Sequence, residues 1–295
     1  MILQQLYLWH LYLFTFAVSG FKNFDLVNER PENFHLEQVT VFNKTFMVGS
    51  VHYDWVLKSE MGPLQVLDRA LNKTGSSCLA IDVGMNDGFY TQLAAQYGCK
   101  VYAFEVQESC IALSRKAVAQ NNISHFVSIF RLPVSAINGE LLMFPHGPPD
   151  QQKRCDGMNS INGNSHKHYT RMGFNKFHAV SLDAFVPFDV KVDFLKVDVE
   201  GFDPSVIQGA IGLFMSHRIR RAVIEIQVGF WDKSSMINNL HPYRRIIEEF
   251  GYKFRCVTET PKNMDWGVIQ ENLTYHEFDK YVRGNNCVDW EFFLP

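Results

Sequence analysis

Two acidic segments that contain glycine carry the residue types in this chain that could do chemistry. The first, DVGMNDG at 82–88, follows an apolar run, and Gly84 and Gly88 would let its backbone pass close to a ligand. Its spacing is not the Gly-x-Gly-x-x-Gly of dinucleotide enzymes, and Asp82 and Asp87 would repel a pyrophosphate. These carboxylates suit a cationic group instead, such as the amino group or the sulfonium of S-adenosylmethionine. An ordinary tight turn is the alternative.

Glu105 ends the next apolar run, 23 residues after Asp82. An acid at that position can accept hydrogen bonds from both hydroxyls of a ribose. A helix-capping or surface acid is the alternative. Taken with the glycine turn, Glu105 points to a ligand that contains a nucleoside.

The second segment is DFLKVDVEGF at 193–202. Strand alternation would place Lys196, Asp198 and Glu200 on one face, with apolar residues on the other. Three ionisable groups at the end of a buried strand are unfavourable unless they pair with one another or with a ligand. A structural network of the lysine and the carboxylates is therefore the alternative to a site.

The elements that must position these segments alternate along the chain. Strands are predicted at 78–83, 100–105, 126–131, 192–199, 222–227 and 252–257, and helices at 62–71, 89–97, 109–120, 204–215 and 242–250. This order predicts an α/β fold, a doubly wound and mostly parallel sheet with helices on both faces and its ligand at the carboxyl ends of the strands. Residues 145–177, rich in Gly, Pro and Asn, break the pattern as a long loop, which is either a lid over the substrate or a mobile insertion.

The sequence resembles the FkbM-type methyltransferases, which depend on S-adenosylmethionine. The resemblance rests on AIDVGMNDGFY at 80–90, VYAFEV at 101–106, SLDAF at 181–185, VDFLKVDVEGFDPSVIQGA at 192–210 and VIEIQ at 223–227. It spans about residues 76 to 230. It implies a class I methyltransferase (Rossmann-like) domain at 76–295, with a seven-stranded sheet, S-adenosylmethionine at the carboxyl ends of the first two strands, and methyl transfer to a hydroxyl of a sugar, polyketide or other small molecule.

The same resemblance implies roles for individual residues. The methionine part of the cofactor would be lined by Asp82, Gly84, Asn86 and Gly88, the ribose would meet Glu105, and the transfer site would lie near Asp198, Glu200 and Glu225. The predicted strand at 126–131 lacks the acid that many such enzymes place near the adenine. Ser135 or backbone groups are expected to serve there instead.

Methyl transfer to a hydroxyl needs a base, because a neutral hydroxyl is a poor nucleophile. We expect Asp198 to be that base, and Glu200 is the second choice. A divalent metal held by a carboxylate pair such as Asp198 and Glu225 is possible but not favoured.

Composition bounds the partners. The 295 residues are 46% hydrophobic and 20% charged, which excludes disorder and coiled coil. The net charge of −3 and the lack of a long basic run argue against a nucleic-acid partner. We expect a small-molecule or glycan acceptor, and Trp231, Trp266 and Tyr275 could either stack on the faces of a sugar or be core aromatic residues.

Residues 1–20 predict the compartment. Their apolar stretch is typical of a signal peptide. The closest alternative is an uncleaved membrane anchor, which would be the only membrane contact of the protein. The third interpretation is a hydrophobic helix that packs on the domain. Residues 21–75 are interpreted as an N-terminal extension. Sequons at Asn43, Asn72, Asn122 and Asn272 support a protein of the secretory pathway, in the lumen of the endoplasmic reticulum or Golgi, either anchored or secreted.

The six cysteines show no zinc-binding spacing. Cys78 and Cys99 border apolar runs and are interpreted as small buried residues. Cys155, Cys256 and Cys287 could pair in an oxidised chain, but the sequence does not give the connectivity.

Two other functions compete with methyl transfer. A dehydrogenase would share the sheet, but the glycine pattern and the lack of a Tyr-x-x-x-Lys pair argue against it. A non-catalytic secreted binding or scaffold protein is the second rival, and acids in the ligand crevice argue against it.

Overall fold

A seven-stranded sheet forms the centre of the protein in a computed structural model that describes residues 35–49, 53–72, 74, 77–145, 155, 174–231, 234–258 and 273–295. All of these belong to one compact unit, residues 34–295. The strands in chain order are β1 Leu36–Val41, β2 Lys44–Gly49, β3 Leu79–Val83, β4 Lys100–Phe104, β5 Val127–Phe130, β6 Leu141–Pro145, β7 Phe174–His178, β8 Phe194–Val197, β9 Arg221–Glu225, β10 Lys253–Cys256 and β11 Asp289–Phe293. The α-helices are α1 Tyr53–Ser59, α2 Met61–Leu71, α3 Phe89–Gln96, α4 Glu108–Gln120, α5 Leu182–Phe185, α6 Asp203–Gln208, α7 Ile211–Met215, α8 Met236–Arg244 and α9 Tyr275–Arg283.

The order of the central sheet is β10-β11-β9-β8-β3-β4-β5. Strands β9, β8, β3, β4 and β5 are parallel, and β11 runs antiparallel to both of its neighbours. The chain winds outward from β3 to β5 and then returns to β8 on the other side of β3. This reversal opens a crevice at the carboxyl ends of β3 and β8. The predicted class I methyltransferase fold, with a mostly parallel seven-stranded sheet, is confirmed.

The two faces of the sheet carry separate apolar cores, as strand alternation requires. Leu79, Ile81 and Val83 pack into one core, and Ala80 and Phe194 pack into the other. Asp82 and Lys196 are register partners on β3 and β8, and both are buried. Since Asp82 follows Ala80 and Lys196 follows Phe194 at a two-residue step, this charged pair lies on the face of the second core.

Part of the predicted N-terminal extension packs on the second core. Val39 and Phe46 of the β1–β2 hairpin and Leu64 and Leu67 of α2 share that core with Phe89 of α3. The hairpin is also bonded to the end of α4, because the Asn121 side chain accepts from the Met47 N–H at 2.7 Å and donates to its carbonyl at 2.8 Å. The boundary at residue 75 stays a prediction, and the predicted leader at 1–20 lies outside the described residues.

Some of the predicted elements differ from those in the structure. Phe174–His178 is a strand that pairs antiparallel with β6, so the segment predicted as a loop at 145–177 begins with the last residue of β6 and ends in β7. The helix predicted at 204–215 is two helices that break at Gly209, whose added Cβ would lie 2.1 Å from the Ser135 carbonyl oxygen. The prediction of a lid or mobile insertion at 145–177 falls mostly outside the described residues, because only Cys155 is described between 146 and 173. No helix in the described part of the chain has the length and apolarity of a membrane span.

All six cysteines form disulfides, which pair Cys78 with Cys99, Cys110 with Cys155, and Cys256 with Cys287. The prediction that Cys78 and Cys99 are buried is correct, but they are bonded to each other rather than free. They approach because Cys78 precedes β3 and Cys99 precedes β4, and these strands are neighbours.

Candidate active site

A cleft of about 390 Å³ lies at the carboxyl ends of β3, β4, β8 and β9. Its ionisable and amide lining consists of Glu60, Asn86, Asp87, Glu105, Gln107, Lys196, Asp198, Glu200, Glu225 and Gln227. Its aromatic lining consists of Trp55, Phe89, Tyr90, Phe104, Phe144, Phe202 and Phe230. Six carboxylates and one ammonium group among the described lining residues give the cleft a negative potential.

The turn after β3 is shaped by two glycines in left-handed conformations. Gly84 has φ +79°, and an added Cβ would lie 1.8 Å from the Asp198 carbonyl oxygen. Gly88 has φ +86°, and its added Cβ would lie 2.3 Å from Ser114 Oγ. Gly84 and Asn86 line the cleft, whereas Gly88 begins α3 beside it. Both glycines are therefore required by close approach as well as by φ.

Glu105 is held by three backbone N–H groups. Its carboxylate accepts from Asn86 at 3.0 Å, from Val106 at 2.7 Å and from Gln107 at 2.8 Å. Burial raises the pKa of Glu105, and these N–H groups oppose the shift. These bonds hold the side chain in one orientation in the lining of the cleft, and its contact with a ribose stays a prediction.

Asp82 lies beneath the cleft rather than in its lining. Its Oδ2 accepts from Thr91 Oγ1 at 2.7 Å, and its Oδ1 is buried without a hydrogen-bond partner among the described residues. Burial raises the pKa of Asp82, and the nearby Lys196 opposes the shift. The predicted direct contact of Asp82 with the cofactor does not match this position.

Lys196 joins two carboxylates at the floor of the cleft. Its Nζ donates to Asp198 Oδ2 at 2.6 Å and lies 4.6 Å from the centre of the Tyr90 ring, while Tyr90 Oη donates to Glu60 Oε2 at 2.6 Å. Burial lowers the pKa of Lys196, but Asp198, Glu60 and Asp82 outweigh burial and raise it, so the ammonium persists.

Glu200 does not continue the strand face that the alternation predicts. Strand β8 ends at Val197, and Glu200 and Gly201 have φ values of +53° and +87° in the following turn. Asp203 stabilises this turn by accepting from the N–H groups of Val199 and Gly201. Asp198 and Glu200 still both line the cleft, because the turn folds back over it.

Glu225 and Asp289 face each other across β9 and β11. Burial, followed by repulsion from Asp198, raises the pKa of Glu225 well above its usual value. Burial and repulsion from Glu60 raise the pKa of Asp289 to about 7. Glu225 Oε2 is buried and has no partner in the described part of the chain. Burial and the neighbouring carboxylates therefore favour the protonated form of Glu225, which can donate a hydrogen bond.

Two predicted contacts fall outside the cleft. Ser135 is fully buried, bonded to Glu140, and 3.2 Å from Ser205 Oγ, so it cannot serve near the adenine. The adjoining residues 132–134 line the cleft instead. Trp231, predicted to contact a sugar or to be a core residue, is a core residue whose indole donates to the Gly201 carbonyl at 3.1 Å.

Sequence reasoning missed Trp55, Glu60 and Tyr90. The first two come from the N-terminal region and reach the cleft because α1 and α2 pack on the sheet. Tyr90, in the first turn of α3, belongs to the segment 80–90, but the sequence does not show its bond to Glu60 or its contact with Lys196. A lone acid before a helix gives no local signal of such a contact.

The donor set fits S-adenosylmethionine. The Gly84 turn forms a cradle that a Cβ would fill, and the Glu105 carboxylate is fixed beside it. The buried acids around Lys196 provide negative charge near this cradle. No cluster of three or more His, Cys, Asp or Glu side chains suited to a metal ion occurs among the described residues.

Comparison with known proteins identifies one family model, described as the methyltransferase FkbM domain, over residues 82–254. Solved structures similar to this chain include SMU.1697c from Streptococcus mutans in complex with SAH, with 13% identity, a TM-score of 0.41, and coverage of 79% of this chain and 98% of that one. The METTL16 MTase domain has 14% identity and a TM-score of 0.40, and the match covers 78% of this chain but only 64% of that domain, less than two thirds.

An rRNA methylase from Streptococcus thermophilus has 14% identity and a TM-score of 0.38, with coverage of 77% of this chain and 90% of that one. No curated protein sequence matches this chain. The order of the strands, rather than these distant likenesses, carries the fold assignment.

Proposed function

Because the chain belongs to the FkbM methyltransferase family, we propose that it is an S-adenosylmethionine-dependent O-methyltransferase acting on a hydroxyl of a glycan or other small molecule. One observation carries the proposal. The glycine turn after β3 packs directly against the backbone of Asp198, so the cofactor cradle and the candidate base belong to one cleft.

S-adenosylmethionine supplies an activated methyl group when bound. The residues of this chain then have separate tasks. Gly84 and Asn86 shape the cradle, Glu105 accepts from hydroxyl groups of the ribose, and the aromatic walls at Phe104 and Phe144 exclude water.

Asp198 is the base in this proposal. Its carboxylate is partly exposed to the cleft, and Lys196 contacts only Oδ2, so Oδ1 is available to take the proton of the acceptor hydroxyl. Glu225 is less suited to that task, because burial and repulsion from Asp198 raise its pKa and favour the protonated form, which cannot accept a proton. Glu200, in the turn beside Asp198, is the second candidate base.

The acceptor is a glycan or another neutral small molecule. The carboxylates of the cleft would repel a phosphate backbone, which supports the prediction that the partner is not a nucleic acid. Trp55 lines the cleft with 59% of its surface exposed, and a sugar face can stack on such a ring. Tyr275, the other described candidate, packs on Phe278 and Arg244 instead, and Trp266 lies outside the described residues.

We place the protein in the secretory pathway, either secreted or anchored through residues 1–20. The pairing of all six cysteines supports an oxidising compartment, since disulfides are rare where thiols are kept reduced.

Calorimetric titration with S-adenosylhomocysteine tests the cofactor site. The wild-type protein should bind it with a Kd of about 1 μM, and Glu105→Ala should weaken binding at least about tenfold, or 1.4 kcal/mol. Glu108→Ala is the matched control, because Glu108 is a half-buried carboxylate three residues away whose ion pair is with Arg131. Binding would justify a screen of glycans and small hydroxyl compounds as acceptors. A folded protein that does not bind would favour the non-catalytic scaffold.

A further inference from the structure

Three of the four sequons are described by the structure, and all three have exposed asparagines. Asn43 is in the turn between β1 and β2, Asn72 follows α2, and Asn122 follows α4. Asn43 and Asn122 have φ values of +62° and +56°, which place them in tight turns. Thr45 and Ser124, the hydroxyl residues of two of these sequons, are also exposed. The fourth sequon, at Asn272, lies outside the described residues.

The three turns lie at one edge of the sheet. Asn72 precedes β3, and Asn122 precedes β5, so both are at the amino ends of parallel strands. Lys44, next to Asn43, lies 4.7 Å from the centre of the Tyr97 ring, and Tyr97 follows α3 just before β4 begins. The cleft is at the carboxyl ends of the same strands. Bulky groups on these asparagines would therefore project away from the cleft.

Asn121, next to the sequon residue Asn122, is not exposed in the same way. It belongs to no sequon, and its side chain is bonded to the backbone of Met47 and to Gln92. Asn122 follows it in the left-handed conformation and is exposed. The turn thus uses one asparagine to fasten the hairpin and presents the other to solvent.

From these placements and the complete pairing of the cysteines, we propose that Asn43, Asn72 and Asn122 are sites of N-linked glycosylation on the edge opposite the cleft. The inference rests on the proposed compartment and not on methyl transfer, because oxidised cysteines and N-glycans are acquired in the same lumen. It assigns the three turns a solubilising, glycan-covered surface.

The test uses the full chain expressed in cultured eukaryotic cells. Purified protein is treated with peptide N-glycosidase in ¹⁸O-water, and peptide mass spectrometry scores conversion of each asparagine to labelled aspartate. Thr45→Ala and Ser124→Ala should each remove one glycan, whereas Thr45→Ser and Ser124→Thr should keep it. Asn72→Gln is used at the third site, because Thr74 Oγ1 donates to the Leu71 carbonyl at 2.8 Å and its removal would disturb the helix end.

We expect labelled aspartate at all three positions and none at Asn121. S-adenosylhomocysteine affinity should be the same before and after the glycans are removed, since they lie far from the cleft. Folded protein with these three asparagines unmodified would overturn the proposal, whether the chain was secreted, retained in the cytosol or modified only at Asn272. That result would leave the methyltransferase proposal intact, and failure to bind S-adenosylhomocysteine would leave this one intact.

Discussion

Lys196 Nζ lies 2.6 Å from Asp198 Oδ2, and the two residues are separated by only the last residue of β8. The lysine is buried while the aspartate reaches into the cleft. The pair therefore connects the interior of the sheet to the candidate transfer site. Burying an ammonium is unfavourable alone, but Glu60 and Asp82 add compensating charge.

Replacing this lysine should unbalance the acids around it. Lys196→Met should destabilise the fold by about 3–5 kcal/mol, because Asp198, Glu60 and Asp82 would keep no buried cation among the described residues. The loss of stability should be smaller at pH 5 than at pH 8. The pKa values of Glu60 and Asp82 are raised, so these carboxylates are protonated more readily as the pH falls, and their mutual repulsion decreases. Urea unfolding at both pH values measures this effect. An equal loss at both would mean that the lysine does not neutralise these acids.

Asp198→Asn should remove proton acceptance and leave cofactor binding intact. With an acceptor from the screen, kcat should fall about 10²–10⁴-fold, the usual contribution of a positioned base. Asp193→Asn is the control, since Asp193 precedes the other end of the same strand and accepts from the Leu79 N–H at 3.1 Å. A kcat unchanged in Asp198→Asn would transfer the role to Glu200.

Gly84 and Gly139 form a matched pair of left-handed glycines. Gly139→Ala has open space around the new Cβ and should be destabilised only by its φ of +83°, by about 1–2 kcal/mol. Gly84→Ala should lose about 1–3 kcal/mol more, because its Cβ would overlap the Asp198 carbonyl. Thermal unfolding compares the two, and S-adenosylhomocysteine binding should be lost only in Gly84→Ala. Equal stability of the two variants would contradict the close approach.

Asp289 should make stability fall as pH rises. Its folded pKa of about 7 is above the unfolded value, so the folded state binds more protons between about pH 4 and 7 and loses this stabilisation across that window. Asp289→Asn removes this titration, so the free energy of unfolding of the variant relative to wild type should increase from pH 5 to pH 8. Chemical unfolding of both proteins at these pH values tests it. A constant difference would place the pKa outside the window.

The Cys110–Cys155 disulfide should affect the cofactor turn. Cys155 Sγ lies 2.7 Å from Asn86 Oδ1, so the bridge packs against a residue that lines the cleft. Replacing both cysteines by alanine should weaken S-adenosylhomocysteine binding about tenfold, or 1.4 kcal/mol. The control replaces Cys256, the last residue of β10, and Cys287, just before β11. It should lower stability by about 2–5 kcal/mol without changing affinity. Equal affinities in the two variants would contradict the link.

The positions of the glycine turn and of Glu105 at strand ends could be predicted from the sequence, because each follows a short apolar strand whose end is marked by local residue types. It does not predict β11, where Glu291 interrupts the apolar pattern. That glutamate is fully buried and is neutralised by Arg221 and Arg255 of the neighbouring strands, with Arg69 Nη2 at 3.7 Å. A charged residue in an inner strand is interpreted from the sequence as a surface residue, because its partners are distant in the chain.

The site contacts that could not be predicted also depend on residues that are distant in the chain. Glu60 is close to Lys196 only because α2 packs on the sheet, and no spacing in the chain encodes that proximity. Strand β7 is mostly exposed, so it has no apolar alternation and is defined by its pairing with β6. Ser135 was misplaced because a residue just past a strand end can turn toward the cleft or into the core.

The three disulfides share a simple order. Each cysteine is bonded to the next one in the chain, although six cysteines allow 15 pairings. A polypeptide that meets an oxidant while it is still being synthesised presents its thiols one at a time, and each second thiol finds a single open partner. The native connectivity is thus the one that vectorial oxidation produces directly, without any exchange between mismatched pairs.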